Sequence, residues 1–175
     1  IEGANRSGVR ITNTPLMFAD CIIRNNTTPG FGGGISADVS GDALALERCT
    51  ITNNTAGPGC SAGAIGGGIW VKGRSFISHC TIIDNRTTAI AGYGGGVGTQ
   101  GDCFMRNCTI VKNNADGCSG QVGNGIYSDT GTLEMFNCTV STNGLFGGAG
   151  QSGGIDVASG SVKAVNCVIA YNQKY

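Results

Sequence analysis

The chain has 175 residues, 11 Lys+Arg against 11 Asp+Glu, a net charge of zero, only 13% charged residues and 32 glycines. That length bounds it to one or two domains. A charge-poor, balanced chain lacks the basic face that nucleic acid requires, no run approaches the roughly 18 apolar residues of a membrane span, and glycine without a Gly-x-y period excludes collagen.

Hydrophobic residues make up 40% of the chain, enough for a packed fold rather than disorder. No signal-type segment opens the sequence, and residue 1 is Ile, which reads as processing or as excision from something larger.

In chain order, the first element is a short alternating run with Leu16 and Phe18 on one side, closed by Asp20 and followed by CIIRNN from Cys21. The text then returns as CTITNN from Cys49, CTIIDN from Cys80, CTIVKNN from Cys108, CTVSTN from Cys138 and CVIAYN from Cys167, at steps of 28, 31, 28, 30 and 29 residues. A glycine-rich block recurs before each later Cys, as GGGI ending at Ile35, GGGI at Ile69, GGGV at Val97, GNGI at Ile126 and SGGI at Ile155. Fixed-period self-similarity of this kind marks a solenoid.

Within each copy the apolar period is two, the strand period. Counting from the cysteine, position +2 reads Ile23, Ile51, Ile82, Ile110, Val140 and Ile169, sharing a core face with the cysteines. Position +1 (Ile22, Thr50, Thr81, Thr109, Thr139, Val168) faces out. Upstream, −3 reads Phe18, Leu46, Ile77, Met105, Met135 and Ala164, and −5 reads Leu16, Leu44, Ser75, Cys103, Leu133 and Val162. The odd step from −3 to the cysteine requires a corner at −1, held by Asp20, Arg48, His79, Asn107, Asn137 and Asn166, mostly residues that tolerate left-handed backbone. A third strand starts at each glycine block, with Ile69 and Val71 inward. Position +5 is Asn in every copy (Asn26, Asn54, Asn85, Asn113, Asn143, Asn172), a column able to hydrogen-bond along the stack. The expectation is an all-β, single-domain solenoid over 1–175, open at both ends, of about six coils of three short parallel strands stacked about 4.8 Å apart.

The CTIxxN and GGGI blocks resemble the right-handed parallel β-helix of the pectin-lyase-like superfamily, and most closely the repeats of polymorphic outer-membrane adhesins. The resemblance covers nearly the whole chain. It implies the fold directly and a cell-surface setting by analogy; the fold itself carries lyases, hydrolases, adhesins and fibres alike.

Nine cysteines are too few for a small disulfide scaffold. The column Cys21, Cys49, Cys80, Cys108, Cys138 and Cys167 reads as buried thiols, as does Cys103. Cys60 and Cys118 fall in loops two coils apart, a candidate disulfide if the loops bring them within about 7 Å. Nothing has metal-site spacing, and no metal or cofactor is expected. GxSxG, Walker and HExxH patterns are absent from the sequence. Asp129 and Asp156, outward on adjacent coils and roughly 8 Å apart, form the nearest approach to a carboxylate pair; the expectation is nevertheless that the protein is not an enzyme. His79 reads as a corner residue. The outward Thr column lacks the second Thr column of an ice-binding plane. Trp70 and Tyr127, expected to be exposed two coils apart across Gly98, outline a candidate glycan subsite.

Position −4 should face solvent, yet it reads Met17, Ala45, Phe76 and Phe104 before Glu134 and Lys163, and Phe136 extends the apolar stripe. Such a strip suggests a lateral contact surface. Loop sequons place candidate glycans at Asn5, Asn26, Asn53 and Asn85.

No capping segment is evident at either end. Residues 167–175 and 1–20 together make 29 residues, one coil, as though the tail of one copy continued into the head of the next. The expected function is therefore an extracellular structural subunit stacking head to tail into an open filament or sheath. The alternatives are a segment of a cell-surface adhesin binding host or glycan, and a polysaccharide-active enzyme.

Overall fold

The computed structural model describes residues 1–59, 63–116, 123–144 and 153–173. Its strands all pair in parallel. The +1 to +3 residues of each copy form one six-stranded sheet, running from Ile22–Arg24 to Val168–Ala170. Pairing is in exact repeat register, Ile23 on Ile51, Ile51 on Ile82 and Ile82 on Ile110. The chain is a parallel β-solenoid, and its six rungs in this sheet are linked by five turns of chain.

The glycine-block strand and the strand before the cysteine belong to one sheet rather than two. In two coils they are a single bent strand, Ile35–Glu47 and Ile69–Ser78. The bend falls at a glycine column that includes Gly73 (φ 110°) and Gly101 (φ 133°), where an L side chain would be strained. The third side is a narrow sheet that follows the asparagines, Thr27–Thr28, Thr55–Ala56, Arg86–Thr87 and Asn114–Ala115.

Both corners of the six-stranded sheet use left-handed backbone. The −1 column has φ between 51° and 55° in all six copies. A second column at +4, Asn25, Asn53, Asp84, Lys112, Thr142 and Tyr171, has φ between 53° and 56°. One side of the first corner also carries an outer amide chain: Asn166 Nδ2 donates to Asn137 Oδ1 at 2.7 Å, Asn137 Nδ2 to Asn107 Oδ1 at 3.2 Å, and Asn107 lies 2.9 Å from His79 Nε2.

Apolar columns fill the interior. Ile23, Ile51, Ile82, Ile110 and Val140 are fully buried, and Cys49, Cys80, Cys108 and Cys138 nearly so. Beside them the asparagines form a continuous ladder. Nδ2 donates to the next rung's Oδ1 at 2.9 to 3.1 Å from Asn26 through Asn54, Asn85, Asn113 and Asn143 to Asn172. The same Oδ1 accepts the preceding asparagine's backbone N–H, as Asn85 Oδ1 does from Asn54 at 3.0 Å. The other amide proton reaches a core-strand carbonyl, as in Asn85 Nδ2 to Ile51 O at 2.9 Å. This arrangement explains the glycine block: a Cβ on Gly68 would lie 2.8 Å from Gly96 O and 2.9 Å from Asn85 Cγ.

Two of the candidate glycan positions are corrected by the ladder. Asn26 and Asn85 are buried, with their amides fully engaged, so neither side chain presents a nitrogen for glycosylation in the folded chain. Asn5 and Asn53 are exposed.

Asn85→Ala orphans two donors inside the core, the Asn54 backbone N–H and one Asn54 Nδ2 proton. At about 1–3 kcal/mol per buried group, the expected loss is about 3 kcal/mol or more. Circular-dichroism melting should show a midpoint lower by about 6–12 °C.

Candidate functional site

The two ends of the solenoid differ. At the C-terminal end Ile155–Val157, Ser161–Val165 and Val168–Ala170 each pair on one side only, among the described residues. Their core columns are open: Ile169 and Val162 are each 50% exposed, against 0% for Ile110 and Leu133 at the same positions inside. Together with Ala164, Val157 and Ile155 they line a shallow apolar depression.

At the other end residues 1–4 lie against the first rung. Arg24 N–H donates to Ile1 O at 2.9 Å, Thr27 N–H donates to Ala4 O at 2.9 Å, and Ala4 N–H donates to Asn26 Oδ1 at 3.1 Å. Thr55 N–H donates to Asn26 O in the same way, which puts Ala4 in the asparagine column and Ile1 in the isoleucine column. Ile23 is consequently fully buried.

This overturns the expected complementarity of the two half-coils. Ile1 does not follow on from residue 175 in register; it occupies the position equivalent to Ile169. The cause is a shorter turn, since only three residues separate Ala4 from Gly8 where seven separate Asn26 from Gly34. The two terminal segments therefore claim the same place on the first rung.

The lateral surfaces are largely satisfied internally. Met17 is 61% exposed and Phe76 45%, while Phe104 and Phe136 are half-buried. Phe76 stacks on Phe104 at 5.2 Å between ring centroids, and Lys163 Nζ lies 5.3 Å over the Phe136 ring. The stripe is real as a row, but its rings pack along the solenoid axis.

Trp70 and Tyr127 are not exposed, contrary to expectation; each is only 8% accessible. Loop aromatics cover them: Phe31 stacks on Trp70 at 5.1 Å and Tyr93 on Tyr127 at 4.7 Å. The space above Gly98 is filled by Ile65, whose Cγ2 lies 2.1 Å from where a Gly98 Cβ would stand, so there is no sugar-sized gap between the two rings. A groove of about 480 Å³ does lie beside Trp70, lined also by Phe31, Arg6, Arg10 and Asp38.

Asp129 is occupied structurally. Gln100 Nε2 donates to Oδ2 at 2.9 Å and Tyr127 Oη to Oδ1 at 3.2 Å. Burial and this carboxylate push the Tyr127 hydroxyl up to about 12. Asp156 pairs in register with Tyr127 rather than with Asp129. Cys60 and Cys118 lie outside the described residues.

The thiols are not uniform: interaction with the Cys108 thiol lowers Cys138. Burial pushes Cys80 and Cys103 up to about 11 and raises Cys49. Cys21 and Cys167, on the end rungs, are half-buried. Among the described residues no group of three or more His, Cys, Asp or Glu side chains could hold a metal ion. Among the described residues no helix is long and apolar enough to cross a membrane.

Comparison with known proteins agrees with this architecture. The family model described as right-handed beta helix region matches residues 1–175, and the chain belongs to that family. No curated protein and no solved structure matches it significantly.

Two outcomes follow. In Ellman titration of the native chain at pH 8, Cys49, Cys80 and Cys103 should stay silent until the chain unfolds, because they are buried and burial raises their thiols, which keeps the unreactive, protonated form up to higher pH. Gly98→Ala should cost about 1–3 kcal/mol by overpacking, and Ile65→Ala in the same chain should recover part of that in a urea-melt double-mutant cycle.

Proposed function

We propose that this right-handed β-helix is an extracellular structural subunit that extends by end-on stacking of copies into a filament or sheath. The observation that supports this reading is the uniform rung: six in-register parallel strands stack on one sheet, so a second copy can offer the same columns at the same spacing. A partner that fits must offer parallel strands at the same spacing and the same columns, and a second copy's first rung does so. The joint is heterologous and does not close, so it propagates, and its pairing is strand addition.

The docking has a condition set by residues 1–4. For Val168–Ala170 of one copy to pair with Ile22–Arg24 of the next, those residues must leave the first rung. Stacking is then strand exchange: backbone pairing made by residues 1–4 is replaced by pairing from the neighbour's last rung, and the apolar columns close. A net charge of zero adds little repulsion between copies. The likeness of the repeats to those of surface adhesins supports placing the subunit outside the cell.

A second reading, a ligand-binding segment of a surface adhesin, is favoured by the groove beside Trp70. The Trp70 Nε1 is buried without an acceptor, and the groove also carries Arg6 and Arg10.

Negative-stain electron microscopy and light scattering of the 175-residue chain test the first reading. Filaments should form with a subunit rise of about 29 Å, six rungs at about 4.8 Å. Removing residues 1–5 should speed their growth, and Ile169→Asp should abolish it while leaving the monomer folded by circular dichroism. Monodisperse monomers or closed dimers from both the intact and the shortened chain would overturn it.

A further inference from the structure

The interior of the solenoid gathers soft donor atoms at one place, on the rungs of Cys108 and Cys138. We propose that Met105, Met135, Cys108 and Cys138 form a buried site for a monovalent soft metal ion of the Cu(I) type. The site lies inside the core and is independent of how copies stack.

Two adjacent rungs build it. Met105 pairs in register with Met135, and Thr109 and Thr139, the residues after the two cysteines, pair likewise. In each rung a left-handed corner residue, Asn107 (φ 53°) or Asn137 (φ 54°), turns the chain between methionine and cysteine, so both side chains enter the core. All four are 0–2% exposed and belong to one packed cluster. The Cys108 and Cys138 thiols interact directly.

The methionines are placed selectively. The chain has three, and the third, Met17, is 61% exposed. In the other copies the position of Met105 and Met135 holds Phe18, Leu46, Ile77 and Ala164. Thioethers therefore meet the cysteine column on these two rungs alone. The chain spacing conceals the set, because its members come from different coils.

Spacing, softness and charge select the ion. A metal–thiolate bond is about 2.3 Å, so an ion between two sulfurs spans about 4.6 Å, close to the rung step of about 4.8 Å. Thiolate and thioether sulfur favour Cu(I) over harder divalent ions. One thiolate balances a single positive charge, and the other sulfurs bind as neutral donors, so the loaded site adds no net charge to an apolar core. A structural zinc site wants four Cys or His ligands, and among the described residues no group of even three His, Cys, Asp or Glu could hold an ion. The thioethers complete a set that suits a soft ion. Binding breaks one S–H bond and forms one S–Cu bond; the proton passes to the buffer and copper stays Cu(I).

Because the donors are buried, the ion is supplied during folding. The full chain is refolded from urea to its native circular dichroism, anaerobically and reduced, with Cu(I) as its bicinchoninate complex or with Zn(II). Bound metal after desalting, copper-edge X-ray absorption and competition with bicinchoninate are the readouts. The expected result is a single Cu(I) per chain in an all-sulfur shell, with no Zn(II) retained. Met105→Leu combined with Met135→Leu keeps core volume and apolarity, so its metal-free melt should stay close to the parent's while Cu(I) affinity falls about tenfold or more. Cys108→Ser combined with Cys138→Ser should retain no copper, and Cys49→Ser, on a rung outside the cluster, should retain it fully. Parent-like copper affinity in the double methionine variant, equal loss in Cys49→Ser, Zn(II) held at the same stoichiometry, or a natively refolded chain without copper would each overturn the site.

Discussion

The asparagine ladder and the glycine wall opposite it fix the rung spacing, and the rest of the structure follows from that spacing. A buried amide has two protons and an oxygen to satisfy, and an apolar core supplies no water to do it. Stacking identical amides meets the demand only at the strand repeat, where each Oδ1 takes both the neighbour's Nδ2 and its backbone N–H. The second Nδ2 proton is spent on the core strand itself. Any slip of one rung by one residue would break three bonds at once, besides moving the isoleucines off the core face. Glycines such as Gly68 and Gly96 are therefore a packing requirement of the asparagines, not a flexible hinge.

Part of this was legible in the sequence because a solenoid writes its contacts as columns. The cysteine, isoleucine and asparagine columns, and the left-handed corner at −1, could each be read from spacing alone. The second corner could not, since its six members include Lys112, Thr142 and Tyr171, none of which advertises left-handed backbone. There the conformation is imposed by the ladder residue that follows, whose side chain must turn inward immediately after an outward strand residue. The two-residue strands of the narrow sheet carry too few positions for a period to show. Trp70 and Tyr127 were misplaced for a different reason: strand alternation gives the outward direction correctly but says nothing of a loop aromatic such as Phe31 or Tyr93 laid over it.

Counting residues across the loops failed in the same way. The stretch from the −5 column through the cysteine to the asparagine has constant length, so register propagates through it. The segment between the asparagine and the glycine block does not, and it can shrink to three residues between Ala4 and Gly8 without disturbing either neighbour. Total coil length is thus a poor measure of register, and a sum of end segments equal to one coil does not make those ends complementary. The hydrogen bonds of Ala4 settle the register directly.

The choice between the lateral stripe and the terminal face as the assembly surface comes down to which groups are left unsatisfied. Phe76 and Phe104 already stack on each other, and Lys163 covers Phe136, so lateral docking would gain only the remaining exposed ring area. The paired surface charges Arg48–Asp20 and Lys72–Asp38 are exposed and contribute little to holding a neighbour. A rung face makes a different demand: its backbone edges pair only with parallel strands at the same spacing and with the same columns, and a second copy of this chain can supply both.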